Sequence, residues 1–286
     1  MNESSLMVCK ALLGRLPPEM EQRLIGLFSP KQAETLLKMP PPAPLGKEAL
    51  QWDLLSHLHY SWLAPYLRTL APGDIRLFFA ALSSTQAKGL EKALGLPNDL
   101  PKLTKVARRS IRALLLQQVI HEEERVPLPF LPESPLNQLL TLTPSTLKKL
   151  IHYLGLHDLS FEMRQIIATK TLKQIFATLP EKQGEYLKTL LLHREPLIYE
   201  RLFLEKWDGS KAQLQGLIEE RGLHRLAHAL YFCHPDLSWY FTHRIDMHLA
   251  TKLLKYDDRP THSRAQEILF NQIQKNLERL QTKGSS

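Results

Sequence analysis

Six side chains able to bind a metal or move protons gather near the end of the chain: His224, His228, Cys233 and His234, with His243 and His248 downstream. His224 and His228 are four residues apart, a spacing that sets two imidazoles on one helix face. No carboxylate follows His224 to act as the base of a His-Glu-x-x-His site, and the other spacings match no zinc pattern. Core or surface histidines are the expectation, with no metal ligand assigned. Cys9 lies in an apolar stretch beside Lys10 alone, which suits a buried structural thiol better than a nucleophile. Glu122, Glu123 and Glu124 are consecutive, so on a helix they diverge by about 100° each and cannot converge on one substrate. The chain has no dinucleotide-binding glycine motif, no phosphate-cradling loop and no Gly-x-Ser-x-Gly elbow. Neither a catalytic residue nor a cofactor is expected.

The cations offer more. Lys102, Lys105, Arg108, Arg109 and Arg112 fall within about 120° of one face if residues 102–121 are helical. Leu103, Val106, Ala107, Ile111 and Leu114 fall on the other side, which predicts the packed face. Like charges at helical spacing repel by a few tenths of a kcal/mol per pair, about 0.2–0.5. A stripe of this kind suits an acidic partner, phosphate or an anionic membrane surface. The plainer alternative is a solvated face neutralised by Glu122–Glu124. The whole chain leans the same way, with 37 Lys and Arg against 29 Asp and Glu, a net charge of +8 and a pI near 9.4. That balance fits acidic proteins, anionic lipid or nucleic acid, and selects none of them.

These side chains need elements to hold them, and the 286 residues read as helices throughout. Apolar residues recur at three- and four-residue steps in Leu24-Ile25-Phe28, Leu77-Phe78-Ala81, Ile111-Leu114-Leu115, Leu172-Ile175-Phe176-Leu179 and Ile268-Ile273-Leu277. Strand-like alternation is nearly absent, and 12 glycines leave few hairpin signals. A helix-opening phrase also recurs. Phe28-Ser29-Pro30-Lys31-Gln32-Ala33 and Leu82-Ser83-Ser84-Thr85-Gln86-Ala87 align without a gap at a spacing of 54 residues. That spacing also pairs Leu13 with Leu67, Leu16 with Leu70 and Pro18 with Pro72. Looser copies open at Thr143-Pro144, Pro180 and Asp246. Ser29 and Ser83 suit the N-cap, Gln32 and Gln86 the reciprocal capping-box position, and Pro30 and Pro144 the first helical turn. The expected fold is all-α, with stacked armadillo-like repeats in two or three small domains.

Proline-rich stretches mark the boundaries. Residues 40–46 and 126–135 read as extended linkers, because proline removes backbone donors and biases its predecessor away from the helix. The pieces are a helical repeat over 1–39, a middle helical domain over 47–125, a C-terminal helical domain over 136–281 and a disordered tail over 282–286. Two cysteines make no disulfide framework, the N-terminus lacks the charged and apolar regions of a secretory signal, and no apolar run spans a bilayer. A cytoplasmic protein is expected.

In this order the pieces resemble the middle and C-terminal domains of the flagellar motor switch protein FliG. Leu63-Ala64-Pro65-Tyr66-Leu67-Arg68 through Ser83-Ser84-Thr85-Gln86-Ala87 resembles the family's middle repeat, and residues 175–205 its next one. Leu226-Ala227-His228-Ala229-Leu230, Asp236-Leu237 and Ala250-Thr251-Lys252-Leu253-Leu254 resemble its C-terminal block. Arg264-Ala265-Gln266-Glu267-Ile268 and Leu277-Glu278-Arg279-Leu280 resemble its terminal helix. The resemblance implies a non-catalytic scaffold within a multi-subunit assembly, whose partners are membrane-ring and cytoplasmic-ring components. It also implies a contact turn, placing His59, Tyr60, Ser61 and Trp62 among the partner-binding residues beside the cations. The other tryptophans and tyrosines read as core filling between helices.

Two departures redirect that expectation. The family's Glu-His-Pro-Gln turn is Leu58-His59-Tyr60-Ser61 here, with only the histidine in common. Its Asp-Asp-Arg stretch on the torque helix becomes Ser210-Lys211-Ala212. A rotor face needs charges of defined sign and place, so the scaffold role remains without the torque. A type III secretion relative of the flagellum is the expected setting. The alternative is a nucleic-acid-binding helical repeat that uses the basic stripe.

Overall fold

The structure, a computed structural model, describes residues 6–7, 9–10, 13, 17–40, 54–96, 100–119, 126, 128–193, 196–197, 201–204, 207–256, 260, 262 and 264–282. Helices α1 (Pro18–Ile25), α2 (Pro30–Lys38), α3 (Tyr60–Leu67), α4 (Pro72–Ala81), α5 (Ser84–Leu94) and α6 (Lys105–Val119) come first. They are followed by α7 (Pro144–Met163), α8 (Thr169–Thr178), α9 (Glu181–Leu191), α10 (Lys211–Tyr231), α11 (Pro235–Arg244), α12 (Met247–Leu254) and α13 (Ala265–Thr282). Short 3-10 turns at Leu54–His57, Leu128–Phe130 and Pro135–Thr141 complete the described elements, and no strand occurs among them. The all-α expectation holds. Contacts divide the chain into two compact units, Met1–Ser134 and Pro135–Ser286. The sequence pieces 1–39 and 47–125 both fall in the first. Of the linker 40–46 only Pro40 is described, and of the tail 282–286 only Thr282.

In the first unit the 54-residue offset carries helix starts onto helix starts. Pro18 opens α1 and Pro72 opens α4, while Ser29 is the N-cap of α2 and Ser83 that of α5. A two-helix unit therefore occurs twice. The copies differ in workmanship. Ser83 accepts from the Gln86 backbone N–H and the Gln86 side chain accepts from the Ser83 N–H, a complete capping box, whereas Ser29 makes no side-chain cap bond. Gln86 reaches further, donating from Nε2 to the carbonyls of Leu55 (2.7 Å) and Leu58 (2.9 Å). One side chain thus caps α5 and closes the turn that leads into α3. Leu6, Leu13 and Leu36 form a small core around α1 and α2, with half-buried Cys9 against it. Leu63, Leu67, Phe79, Leu90 and Leu115 are buried in the four helices that follow.

The second unit is built around α7. Leu147, Leu150, Ile151, Leu154, Leu156 and Leu159 are buried, and so are His152, His157, Asp158, Ser160 and Glu162. A helix covered on every side is central to its unit. Helices α9, α10 and α13 pack on it, and α11 and α12 pack on α10. Helix α10 approaches closely enough that a Cβ on Gly155 would strike the Ile218 carbonyl and one on Gly222 the Ile151 carbonyl. Only glycine fits at that crossing. The looser copies of the opening phrase also start helices: Thr143 caps α7 through Thr146 N (3.2 Å), Pro180 precedes α9, and Asp246 caps α12 through His248 N (2.9 Å).

Candidate functional site

The cationic residues divide on inspection. Helix α6 begins at Lys105, after Thr104 accepts a bond from Ala107 N (3.2 Å), so Lys102 lies before the helix and is exposed. Arg112 turns inward, donating to the Ala81 carbonyl (2.9 Å) and to Ser56 Oγ (2.9 Å). It clamps α6 to the end of α4 and to the 3-10 turn. Lys105, Arg108 and Arg109 remain exposed. The five cations are therefore not one open stripe: one precedes the helix and one is an internal brace.

The apolar side of α6 also differs from expectation. Leu115 is the fully buried residue, with Ala107 and Ile111 half-buried beside it, while Val106 is 76% and Leu114 54% exposed. Leu115 lies between the predicted apolar arc and the cationic arc, so the helix is rolled about its axis. Arg112 accounts for this, since the bond from its guanidinium to the Ala81 carbonyl holds the Arg112 side of the helix inward. The roll turns aliphatic side chains outward. Glu122–Glu124, offered as local neutralisers, lie outside the described residues, and α6 itself contains no carboxylate.

The His59–Trp62 turn is used internally. His59 is the N-cap of α3, its Nδ1 accepting from Ser61 N (3.3 Å) and lying 2.8 Å from Ser61 Oγ. The Tyr60 ring covers Gly89 on α5, where any Cβ would strike it. All four residues are half-buried. The geometry gives His59, Tyr60 and Ser61 capping and packing duties that the sequence reading did not foresee.

The histidines near the end of the chain are likewise tied up. His224 and His228 bring their Nε2 atoms to 3.2 Å, and the Tyr256 ring stacks on His224 at 4.6 Å. Burial, reinforced by the bond from its hydroxyl to Glu220 Oε1 (2.8 Å), pushes the Tyr256 phenol up to about 12. His234 caps α11 through Asp236 N (3.2 Å), and His243 stacks on Trp239 at 4.0 Å. Among the described residues no three His, Cys, Asp or Glu side chains converge as a metal site would require. Ser210-Lys211-Ala212 opens α10, with Ser210 capping through Gln213 N (3.3 Å).

Sequence reasoning missed the polar side chains inside the second unit. Arg225, fully buried, donates from Nη2 to Asp158 Oδ1 (2.6 Å) and the Leu197 carbonyl (2.8 Å), and from Nη1 to Gln272 Oε1 (2.8 Å). Glu162 accepts from Arg201 (3.1 Å), and His157 Nε2 lies 3.1 Å from the Tyr186 hydroxyl. His152, 3.8 Å from Glu219, has its pKa lowered by burial, against the pull of that carboxylate. The available signal was a charged residue at an otherwise apolar helical position, as at Asp158 between Leu156 and Leu159. No described helix is long and apolar enough to cross a membrane.

Comparison of the chain with protein-family models, with curated proteins and with solved structures finds no match.

Proposed function

We propose that the protein is a non-catalytic adaptor of stacked helices that links the membrane ring to the cytoplasmic complex of a type III secretion apparatus related to the flagellum. The observation that carries this reading is the duplicated helix pair of the first unit. A repeated two-helix module presents surfaces instead of assembling a reaction centre. Polar side chains turned toward neighbouring elements support it. Gln86, Arg112, Asp158 and Arg225 fasten one element to another. The FliG-like segments supply the setting, at the cytoplasmic face of a membrane-embedded ring, and the departures at Leu58–Ser61 and Ser210–Ala212 favour a scaffold over a torque generator. The test is purification of the tagged full-length chain after cross-linking in cells, with the captured proteins identified by mass spectrometry. Membrane-ring and cytoplasmic-ring components are the expected catch; recovery of neither would remove the reading.

A second reading, a nucleic-acid-binding helical repeat, draws on the exposed Lys102, Lys105, Arg108 and Arg109. Phosphate contacts make affinity fall steeply with salt. Absence of oligonucleotide binding at low ionic strength would dismiss it.

A further inference from the structure

We infer that α6 docks on an anionic lipid surface, with its axis along the membrane plane. The inference deepens the adaptor reading by naming the partner of one surface, though it stands on α6 alone. Three observations converge. First, α6 carries Lys105, Arg108, Arg109 and Arg112 and no acidic residue. Second, the inward direction is fixed by Leu115, fully buried, and by the Arg112 guanidinium on the Ala81 carbonyl. At about 100° per residue the opposite direction is marked by Val106, Ser110, Ala113 and Gln117, and all four are exposed. Third, the outward side combines aliphatic and cationic groups. Val106 stands near its centre, Lys105 and Arg109 along one edge and Leu114 along the other, while Lys102 is exposed just before the helix.

That combination discriminates among anionic partners. Lys and Arg are drawn to the negative surface of a bilayer that contains anionic lipid, and aliphatic side chains beside them gain by entering the boundary between headgroups and acyl chains. A sugar–phosphate backbone rewards the cations but not Val106 or Leu114, and α6 has no aromatic residue on which a base could stack. Purely acidic polypeptide likewise answers the charges and leaves the aliphatics in water. The 15 residues of α6 form a rod of about 22 Å, suited to lying on a surface.

The test is flotation of the purified full-length chain with vesicles of phosphatidylcholine alone or with about 30% phosphatidylglycerol, at about 0.1 M salt. Binding to the anionic vesicles and not to the neutral ones is expected. The Lys105→Gln/Arg109→Gln variant, checked for native helicity by circular dichroism, should lose roughly fivefold in partitioning per cation removed, about twenty-five-fold in all, whereas Arg108→Gln, on the inward side of the helix, should change it much less. Val106→Asn/Leu114→Asn keeps every charge, and its exposed sites leave the fold intact; partitioning several-fold weaker is expected. Failure to float with anionic vesicles would overturn the inference. So would partitioning indifferent to Val106→Asn/Leu114→Asn, or equal affinity at the same salt for oligo-deoxythymidine or poly-glutamate. Ring components are absent from this assay, so its failure leaves the adaptor reading to be decided by the cross-linking experiment.

Discussion

The Arg225 guanidinium grips both oxygens of the Asp158 carboxylate inside the second unit, with Nη2 2.6 Å from Oδ1 and Nε 3.3 Å from Oδ2. The pair joins α10 to α7, and further bonds from Arg225 to Gln272 on α13 and to the Leu197 carbonyl bring in two more segments. Removing one partner strands a buried charge. Asp158→Ala should destabilise the protein by about 3–5 kcal/mol. Replacing both at once, as Asp158→Leu/Arg225→Met, should cost much less, because no unpaired charge remains. Urea unfolding followed by Trp207 and Trp239 fluorescence would read the difference.

The glycines at the crossing of α7 and α10 make a second, independent point. Gly155 faces the Ile218 carbonyl and Gly222 the Ile151 carbonyl, and backbone cannot move aside as a flexible side chain does. Gly155→Ala and Gly222→Ala should each lower stability by about 1–3 kcal/mol or more, despite alanine's better helix propensity. The double variant should cost less than the sum, since one forced separation of the helices relieves both clashes. Thermal denaturation of the three variants checks this.

The two copies of the opening phrase should respond unequally. Ser83→Ala removes a cap that is made and should cost about 1 kcal/mol. Ser29→Ala removes one that makes no side-chain bond and should cost only a few tenths, about 0.3. Gln86→Ala should exceed both, at about 2 kcal/mol or more, because it leaves the Leu55 and Leu58 carbonyls without their donor. Chemical denaturation of the first unit's transition distinguishes the three.

His152 gives the second unit a pH dependence. Burial lowers its pKa from the usual 6.5, Lys148 adds to the lowering, and Glu219 opposes it; Gln183 lies 3.4 Å from Nδ1. The unfolded chain then takes up a proton at a higher pH than the folded one. The stabilisation is complete above pH 6.5 and drains away as the pH falls below it toward the folded value. His152→Gln should flatten that part of the profile. The urea midpoint of wild type and variant, compared on either side of the unfolded value, tests it.

Much of the fold was legible because its signals are local. Pro18, Pro30, Pro72 and Pro144 each sit in the first turn of a helix, where the sequence rules place them, and the 54-residue offset reads directly as paired helix starts. The roll of α6 was not legible. Periodicity counts apolar residues on a face but does not say which neighbour covers it, and Leu114 and Leu115 look alike until Arg112 is seen on Ala81. The family resemblance implies a contact loop at the His59–Ser61 turn, yet its polar atoms complete a helix start. The Arg225–Asp158 pairing was out of reach because its partners are 67 residues apart: the apolar surroundings of Asp158 hint at burial but do not name the residue that meets it.

An adaptor must hold two partners at once, and that property can be measured directly. The purified chain would be mixed with the cytoplasmic segment of the membrane-ring protein and with the cytoplasmic-ring protein, then sedimented at equilibrium. The account predicts one particle containing all three. Binding of neither partner, or mutual displacement of the two from a single surface, would contradict it.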